Sequence, residues 1–443
     1  MSDFSGFAQL LQELYGPLSR SLAYSTGFRQ RYSKLDGPAL LQAMAGGWAA
    51  NPAASRAELA VMAGCSKQAL DQALTAECAD FLKATLGWLV QRSLQLTTQV
   101  NLTPLLDKFK GVYVLDSSTI KLPGELASVW PGCGGNIGGT AALKLHVGLD
   151  LRRGTLLGPD LTAGRVADKS GPHHGLSLPK GSLRLADLGY FKLAHLVEMH
   201  KAGVYYITKA LAHLKLAVAG GEYQNMGTWL AQLDPNVRYV DQAVQVGLKQ
   251  GVECRLVAYR LEAGQVRVRQ ARLREDARRR EQVVSSNQLD LSEWLVYLTN
   301  VSSEQLNTEQ VLVLYRLRWQ IELLFKLWKS GGGQLEQWHS GKAWAILCEI
   351  YAKLIGVVLV HWSVLLAGGQ VSELSLIKAT RLGRSWLVGL VGLASIGAVG
   401  ALEQGLVVMS RSWESCRLDR HRQQPSSYQR VVAAAAASPP LLL

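Results

Sequence analysis

Cysteine is scarce. The 443-residue chain has six, at positions 65, 78, 133, 254, 348 and 416, and no two stand as a C-x-x-C pair. A zinc ribbon, a thioredoxin-type redox motif and a small disulfide-stapled scaffold are therefore excluded, and a reducing cytosol is the expected setting. Acidic residues are also in deficit: 34 Asp and Glu face 47 Lys and Arg, for a formal charge of +13. That favours an anionic partner, nucleic acid or an acidic membrane surface, without choosing between them. Only 18% of the chain is charged while 48% is hydrophobic, which excludes a disordered chain and supports sizeable cores. Phosphate-binding glycine motifs are missing as well. The run WPGCGGNIGGT at 130–140 has neither G-x-x-x-x-G-K-[ST] nor G-x-G-x-x-G. The N-terminal stretch carries two acids and no base ahead of its apolar positions, unlike a signal peptide. Long hydrophobic runs are few. Residues 354–367 are too short to cross a bilayer and contain His361, and residues 386–402 hold four glycines. Both are expected to be buried core helices, and no membrane partner is expected.

What is there falls into about three domains' worth of chain. Residues 1–105 have helical spacing of apolar positions in FAQLLQELYG, GPALLQAMAGGW and FLKATLGWLVQRSL. Within them RAELAVMAGCSKQALDQAL (56–74) has the layout of a helix-turn-helix, with Gly64 in the turn and Ser66 placed to cap the second helix. An ordinary helical hairpin fits that pattern equally. From 111 the period changes. GVYVLD, LKLHVGLDL and SLRLAD read as short strands, and KLAHLVEMHKAG (192–203) as a helix after the third, which implies a mixed α/β core. Residues 204–300 read as β-rich, with strands in VYYITKA, RYVDQAVQVGL, CRLVAYRL and WLVYLTN. Residues 255–281 carry nine arginines against four acids, a pattern that a solvated surface also produces. A long helical pattern resumes at 308, and the tail from 430 is of low complexity.

Two of the strands, VYVLD and LRLAD, deliver a carboxylate at their C-terminal ends, Asp116 and Asp187. Strand ends are where open α/β sheets build sites, although either Asp alone could serve a turn or cap a helix. The third element is YRLRWQIELLFKLWKS, 315–330. At about 100° per residue, Tyr315, Arg318, Glu322 and Lys329 fall within about 60° of one another, with Leu317, Ile321, Leu324, Leu327 and Trp328 opposite. A surface helix with an i,i+4 Arg–Glu pair would show the same pattern. Together, three carboxylates with basic neighbours suit metal-assisted phosphoryl transfer. Carboxylate oxygens hold hard divalent cations, and Arg and Lys hold phosphates.

The spacing Y315-x2-R318-x3-E322-x6-K329 resembles the Y-R-E-K signature of bacterial insertion-sequence transposases of the IS-four type, which are DDE transposases. LDSSTIKLP and ADLGYFKL are similar to the segments that carry the family's first and second Asp, and the three acids come in the family's order. About 130 residues separate Asp187 from Glu322, room for the β-rich insertion the family places there. The resemblance covers about 105–365.

The resemblance implies an α/β fold: an RNase H-like catalytic core interrupted by a β-rich insertion, with helical N- and C-terminal regions. The parts would be a helical DNA-binding region (1–105), the core's first part (106–203), the insertion (204–300), the core's second part with the Glu322 helix (301–365) and a helical C-terminal region with a low-complexity tail (366–443). It implies that Asp116, Asp187 and Glu322 are catalytic and bind two Mg²⁺ ions, with Mn²⁺ able to substitute. Tyr315, Arg318, Lys326 and Lys329 would contact DNA phosphates, Trp294 would stack on a flipped base, and the arginines of 255–281 would line the DNA path. Lys209 stands where many relatives carry arginine, keeping the charge but not the bidentate fork. His146, His173 and His174 are read as ordinary core or surface histidines. The expected partner is double-stranded DNA, both terminal inverted repeats and target, held by a homodimer in the bacterial cytoplasm at the nucleoid. The expected activity is cut-and-paste transposition, with 3′ ends joined to target DNA and flanking strands passing through a hairpin. A related nuclease without strand joining, or an inactive descendant that only binds DNA, are the alternatives.

Overall fold

A computed structural model describes residues 4–31, 34–93, 104–133, 140–218, 220–249, 251–279, 281–330, 333–367, 374–417, 430 and 432–434. The centre of the glycine-rich run and most of the tail lie outside the described residues. The strands are β1 (Val112–Leu122), β2 (Ala141–Asp150), β3 (Leu156–Ala163), β4 (Leu183–Ala186), β5 (Tyr205–Lys209), β6 (Lys215–Val218), β7 (Gln224–Asn225), β8 (Tyr239–Val246), β9 (Val252–Arg260) and β10 (Trp294–Thr299). The helices used below begin with α1 (Phe4–Glu13), α2 (Arg56–Met62), α3 (Lys67–Ala73) and α4 (Ala76–Ser93). Next come α5 (Leu193–Lys201), α6 (Ala263–Arg279), α7 (Thr308–Arg316) and α8 (Trp319–Lys329). The last are α9 (Ala343–Ala367), α10 (Leu376–Ser395) and α11 (Val399–Ser412). Among the described residues this is a mixed α/β fold with ten strands and helical regions toward both ends of the chain.

The chain divides into two compact units, and the boundary passes through β1 between Asp116 and Ser117. The first unit holds 1–101, 117–166 and 321–423. Its strands follow the order β3-β2-β1, with β2 and β3 antiparallel and a register shift between His146 and Gly148. His146 is fully buried and bonds Thr162 Oγ1 through Nε2 at 2.8 Å, a core histidine as expected. The helix pair at 56–74 forms as the sequence indicates. Ser55 and Glu58 make a capping box on α2, Ser66 Oγ accepts from Ala69 N at the start of α3, and Gly64 takes the left-handed turn at φ +66°. Among the described residues α9 is the one helix long and apolar enough to cross a membrane, yet 89% of its apolar window is buried inside the protein. Residues 386–402 are not a single helix. The chain leaves α10 after Ser395, turns at Gly397 with φ +74°, and re-enters a helix at Val399.

The second unit holds 102–116, 167–320 and 424–443. Here β1, β4 and β5 run parallel, with Leu115 opposite Ala186 and Ala186 opposite Thr208. The paired stretches Val112–Leu115 and Leu183–Ala186 are buried throughout and β5 through its middle three residues, as parallel strands covered on both faces require. α5 provides the crossover from β4 to β5. The sheet then continues antiparallel through β10, β9, β8, β6 and β7. The expected strands of 204–300 form, but the arginine-rich stretch after β9 is the 17-residue helix α6. Ala, Arg, Leu, Gln and Glu are all good helix formers, so propensity outweighs the absence of an apolar stripe.

The stretch 315–330 also differs from its sequence reading. α7 ends at Arg316 and α8 starts at Trp319. Between them Leu317 N and Arg318 N bond carbonyls three residues back, Leu314 O and Tyr315 O, at 3.0 and 3.1 Å. A rotation of 100° per residue therefore does not carry from Tyr315 through to Glu322.

Candidate active site

Asp116 and Asp187 follow the last paired residues of two neighbouring parallel strands, Leu115 of β1 and Ala186 of β4. Parallel pairing brings the two carboxylates to the same edge of the sheet. Neither is used up by a cap. Asp116 lies inside β1, which runs on to Leu122. Asp187 precedes the tight turn 188–190 without capping it through its side chain. That turn is crowded: a Cβ at Gly189 would lie 2.6 Å from Asp168 Oδ2.

A cationic side chain faces each carboxylate. Arg318 Nη1 is 3.2 Å from Asp116 Oδ2, both largely buried, and Lys209 Nζ is 3.7 Å from Asp187 Oδ1, both more exposed. Lys209 also lies 6.0 Å from the centre of the Tyr315 ring. Tyr315 is 4% exposed. Its hydroxyl donates to Ala186 O at 3.4 Å and its ring packs 4.4 Å from that of Tyr297. Burial, and after it the Asp187 charge, pushes the Tyr315 hydroxyl far above its ordinary range. It therefore stays protonated and holds the end of β4. Burial pushes Tyr297 up to about 12.

The other expected site residues of the second unit's insertion and of the first unit stand as follows. Trp294 opens β10 and is 1% exposed. The Arg260 guanidinium covers its ring at 4.4 Å, and Arg269 donates to its carbonyl at 2.7 Å. Glu322 is half-buried in the first turn of α8, and Lys326 is exposed on the same helix. Lys329 Nζ donates to Thr119 O at 2.7 Å and to Ser118 Oγ at 3.3 Å, and pairs with Glu336 at 2.7 Å. Ser118 and Thr119 read in the sequence as residues that suit Asp116 to a cap, and nothing there marks them or Glu336 as partners of Lys329. Glu336 follows the glycine run after α8, and no periodicity links it to Lys329.

Asp116 and Asp187 offer oxygen donors of the type that hard divalent cations take. The facing Arg318 and Lys209 show that these strand ends attract positive charge. The donor chemistry thus fits the expected metal, although among the described residues no three of His, Cys, Asp and Glu are grouped as a ready-made metal site.

Residues 107–359 match the family described as Transposase DDE domain. The chain is 30% identical over 311 residues to the transposase for insertion sequence element IS231F of Bacillus thuringiensis subsp. israelensis, across 66% of this chain and 65% of that protein. It is 29% identical over 377 residues to the IS231D transposase of Bacillus thuringiensis subsp. finitimus, across 79% of this chain and 78% of that one. It is 26% identical over 263 residues to the putative transposase InsL for insertion sequence element IS186A of Escherichia coli (strain K12), across 57% and 65%. The matched segment runs from just before β1 to near the end of α9 and so includes both strand-end aspartates and all of α8. By that match the chain belongs to the DDE-domain transposases of insertion-sequence elements.

Proposed function

We propose that this protein is an active DNA transposase that cuts its insertion sequence at the terminal inverted repeats and joins the freed 3′ ends to target DNA. The observation that carries the reading is the pair of carboxylates on adjacent parallel strands, Asp116 and Asp187, each faced by a cation. The parallel set β1-β4-β5 with its α5 crossover supports an RNase H-like core, and the antiparallel run β10-β9-β8-β6-β7 supports an insertion built into it.

Asp116, Asp187 and Glu322 would hold divalent cations, Mg²⁺ by preference. When bound, such ions supply an activated water or 3′-hydroxyl and stabilise the leaving oxygen of the phosphodiester. The protein's own groups do the rest. Arg318, which pairs with Asp116, would hold a phosphate of the substrate. Lys329, with Ser118 and Thr119 as its anchors, presents a second cation, and exposed Lys326 a third. Tyr315 keeps the Asp187 strand end in place through Ala186. Trp294 would serve a flipped base only after Arg260 leaves its ring. Flanking strands pass through a hairpin in this reading, and two protomers pair the two element ends.

The test is cleavage of a duplex carrying the element's end, with Mg²⁺, on a denaturing gel. Asp116→Asn, Asp187→Asn and Glu322→Gln should each lower cleavage and joining by more than about 10³-fold while end binding stays within a few-fold. Cleavage without joining in the wild type would favour a nuclease instead.

A further inference from the structure

The nine arginines between 255 and 281 divide by what they hold. Arg255 is buried, pairs with Asp241 and donates to Leu306 O at 2.7 Å. Arg260 lies over Trp294 and donates to Pro235 O at 2.6 Å. Arg269 is tied to Trp294 O, and Arg279 to Glu275 on its own helix. Arg280 lies outside the described residues. The remaining four, Arg267, Arg272, Arg274 and Arg278, are exposed on α6, and among the described residues no hydrogen bond or ion pair engages them.

Three of the four share a line. Arg267, Arg274 and Arg278 stand at i, i+7 and i+11, within about 40° of one another and along about 16 Å of helix. Arg272 projects about 140° away from the row and Asp276 about 180° away. Within about 60° of the row lie Ala263, Gly264, Gln270 and Ala271, none of them charged, and the nearest acid, Glu275 at about 80°, is paired with Arg279. One adjoining flank, Val266, Arg269, Gln270, Leu273 and Ala277, is half-covered, and no residue of α6 is fully buried. A 17-residue surface helix thus spends its outer side on unpaired cations.

We infer that α6 is a docking helix for the phosphate backbone of duplex DNA of arbitrary sequence, held through Arg267, Arg274 and Arg278. This rests on the transposase reading and says which duplex the helix takes: target DNA, whose sequence varies, and not the element's fixed ends. An acidic membrane surface fits the charge less well. Interfacial helices insert Trp, Phe and Leu, whereas the large apolar side chain that α6 exposes is Val268 alone.

The experiment uses the full chain and a random-sequence duplex, with binding followed by fluorescence anisotropy from low to moderate salt. Neutralising three phosphate contacts should lower the slope of log affinity against log salt by about 2.7 in the triple variant R267Q/R274Q/R278Q. Arg272→Gln, off the row, should leave the slope unchanged, and a triple Lys variant should keep the wild-type slope. Ala271→Arg, which adds a cation to the row without removing any group, should raise the slope by about 0.9. A wild-type slope in both the triple Gln variant and Ala271→Arg would overturn the assignment. Joining to a target plasmid should fall more than cleavage at element ends. Equal losses would overturn the choice of target DNA, and stronger binding to anionic vesicles than to DNA would overturn the partner. A wild-type chain that binds no DNA at any salt would remove the transposase reading and α6 with it.

Discussion

Tyr315 shows how a residue within a signature can act by packing. It is buried, its hydroxyl donates to Ala186 O, and its ring meets Tyr297. Tyr315→Phe loses one long hydrogen bond and should cost about 0.5–1.5 kcal/mol. Tyr315→Ala also loses the ring contacts and should cost about 3–5 kcal/mol, as large-to-small core changes do. Urea midpoints would separate the two, and equal losses would mean that the ring is not a core side chain. The residue's type and spacing were legible in the sequence, but its direction was not. A common face for 315–329 requires one continuous helix, and no glycine or proline marks the tightened turn at Leu317–Arg318. Asp116 and Asp187 were legible because a short β-branched run ending in an acid is a local pattern. Their cationic partners were not, since Arg318 is 202 residues from Asp116. Among the histidines, His174 is held down to about 4 by burial first and then by the His195 and Arg184 charges. Its ring lies 4.7 Å from that of His195, which burial and Arg184 also lower. Groups whose native pKa is depressed bind a proton more readily when unfolded. Their stabilising effect is therefore complete above about pH 6.5 and is lost as the pH falls toward 4. The urea midpoint should drop over that window, and His174→Gln should flatten part of the drop. An unchanged pH dependence in the variant would contradict the assignment.

At the scale of elements, α9 does more than fill the first unit's core. Glu349 and Lys353 are 2% or less exposed and pair at 2.7 Å. Glu349 also accepts from the backbone N and bonds the ring of His339, and Lys353 donates to Gln337 O and Gln334 O. Two charges on one helix thus clamp residues 334–339, the segment whose Glu336 pairs with Lys329. Arg56 of α2 donates to His339 O and ties the helix pair to the same segment. Breaking a buried pair leaves a charge without its partner. Lys353→Met should therefore destabilise by about 3–5 kcal/mol, and the double variant Lys353→Met/Glu349→Leu by less than the single. Additive losses in thermal or urea unfolding would rule out that coupling. Element types were legible wherever period and composition agreed: the strand candidates formed, as did the helix pair at 56–74. The helix α6 was missed because its inner flank is only half-covered and carries no apolar stripe. The break after Ser395 was missed because a glycine inside an apolar run marks a turn only by its φ.

At the scale of the whole molecule, a charge of +13 has two kinds of origin. Some cations are spent inside the fold, as with Arg255, Arg184 and Lys353, all nearly buried. Others stay at the surface, as on α6. Net charge alone therefore overstates what a polyanion meets. The match to DDE-domain transposases covers the strand-end acids and α8, and the chain covers 65% of the IS231F transposase's own length. In the proposed function Asp116, Asp187 and Glu322 together perform metal-assisted strand cleavage and joining. The most direct measurement incubates a labelled element-end duplex, target plasmid and Mg²⁺ with the wild-type chain or with Glu322→Gln, and separates the products on a denaturing gel. Cleaved and joined products are expected from the wild type and neither from Glu322→Gln, with both proteins binding the end equally. Equal product yields from the two proteins, or none from either in Mg²⁺ or Mn²⁺ despite tight binding, would contradict that function.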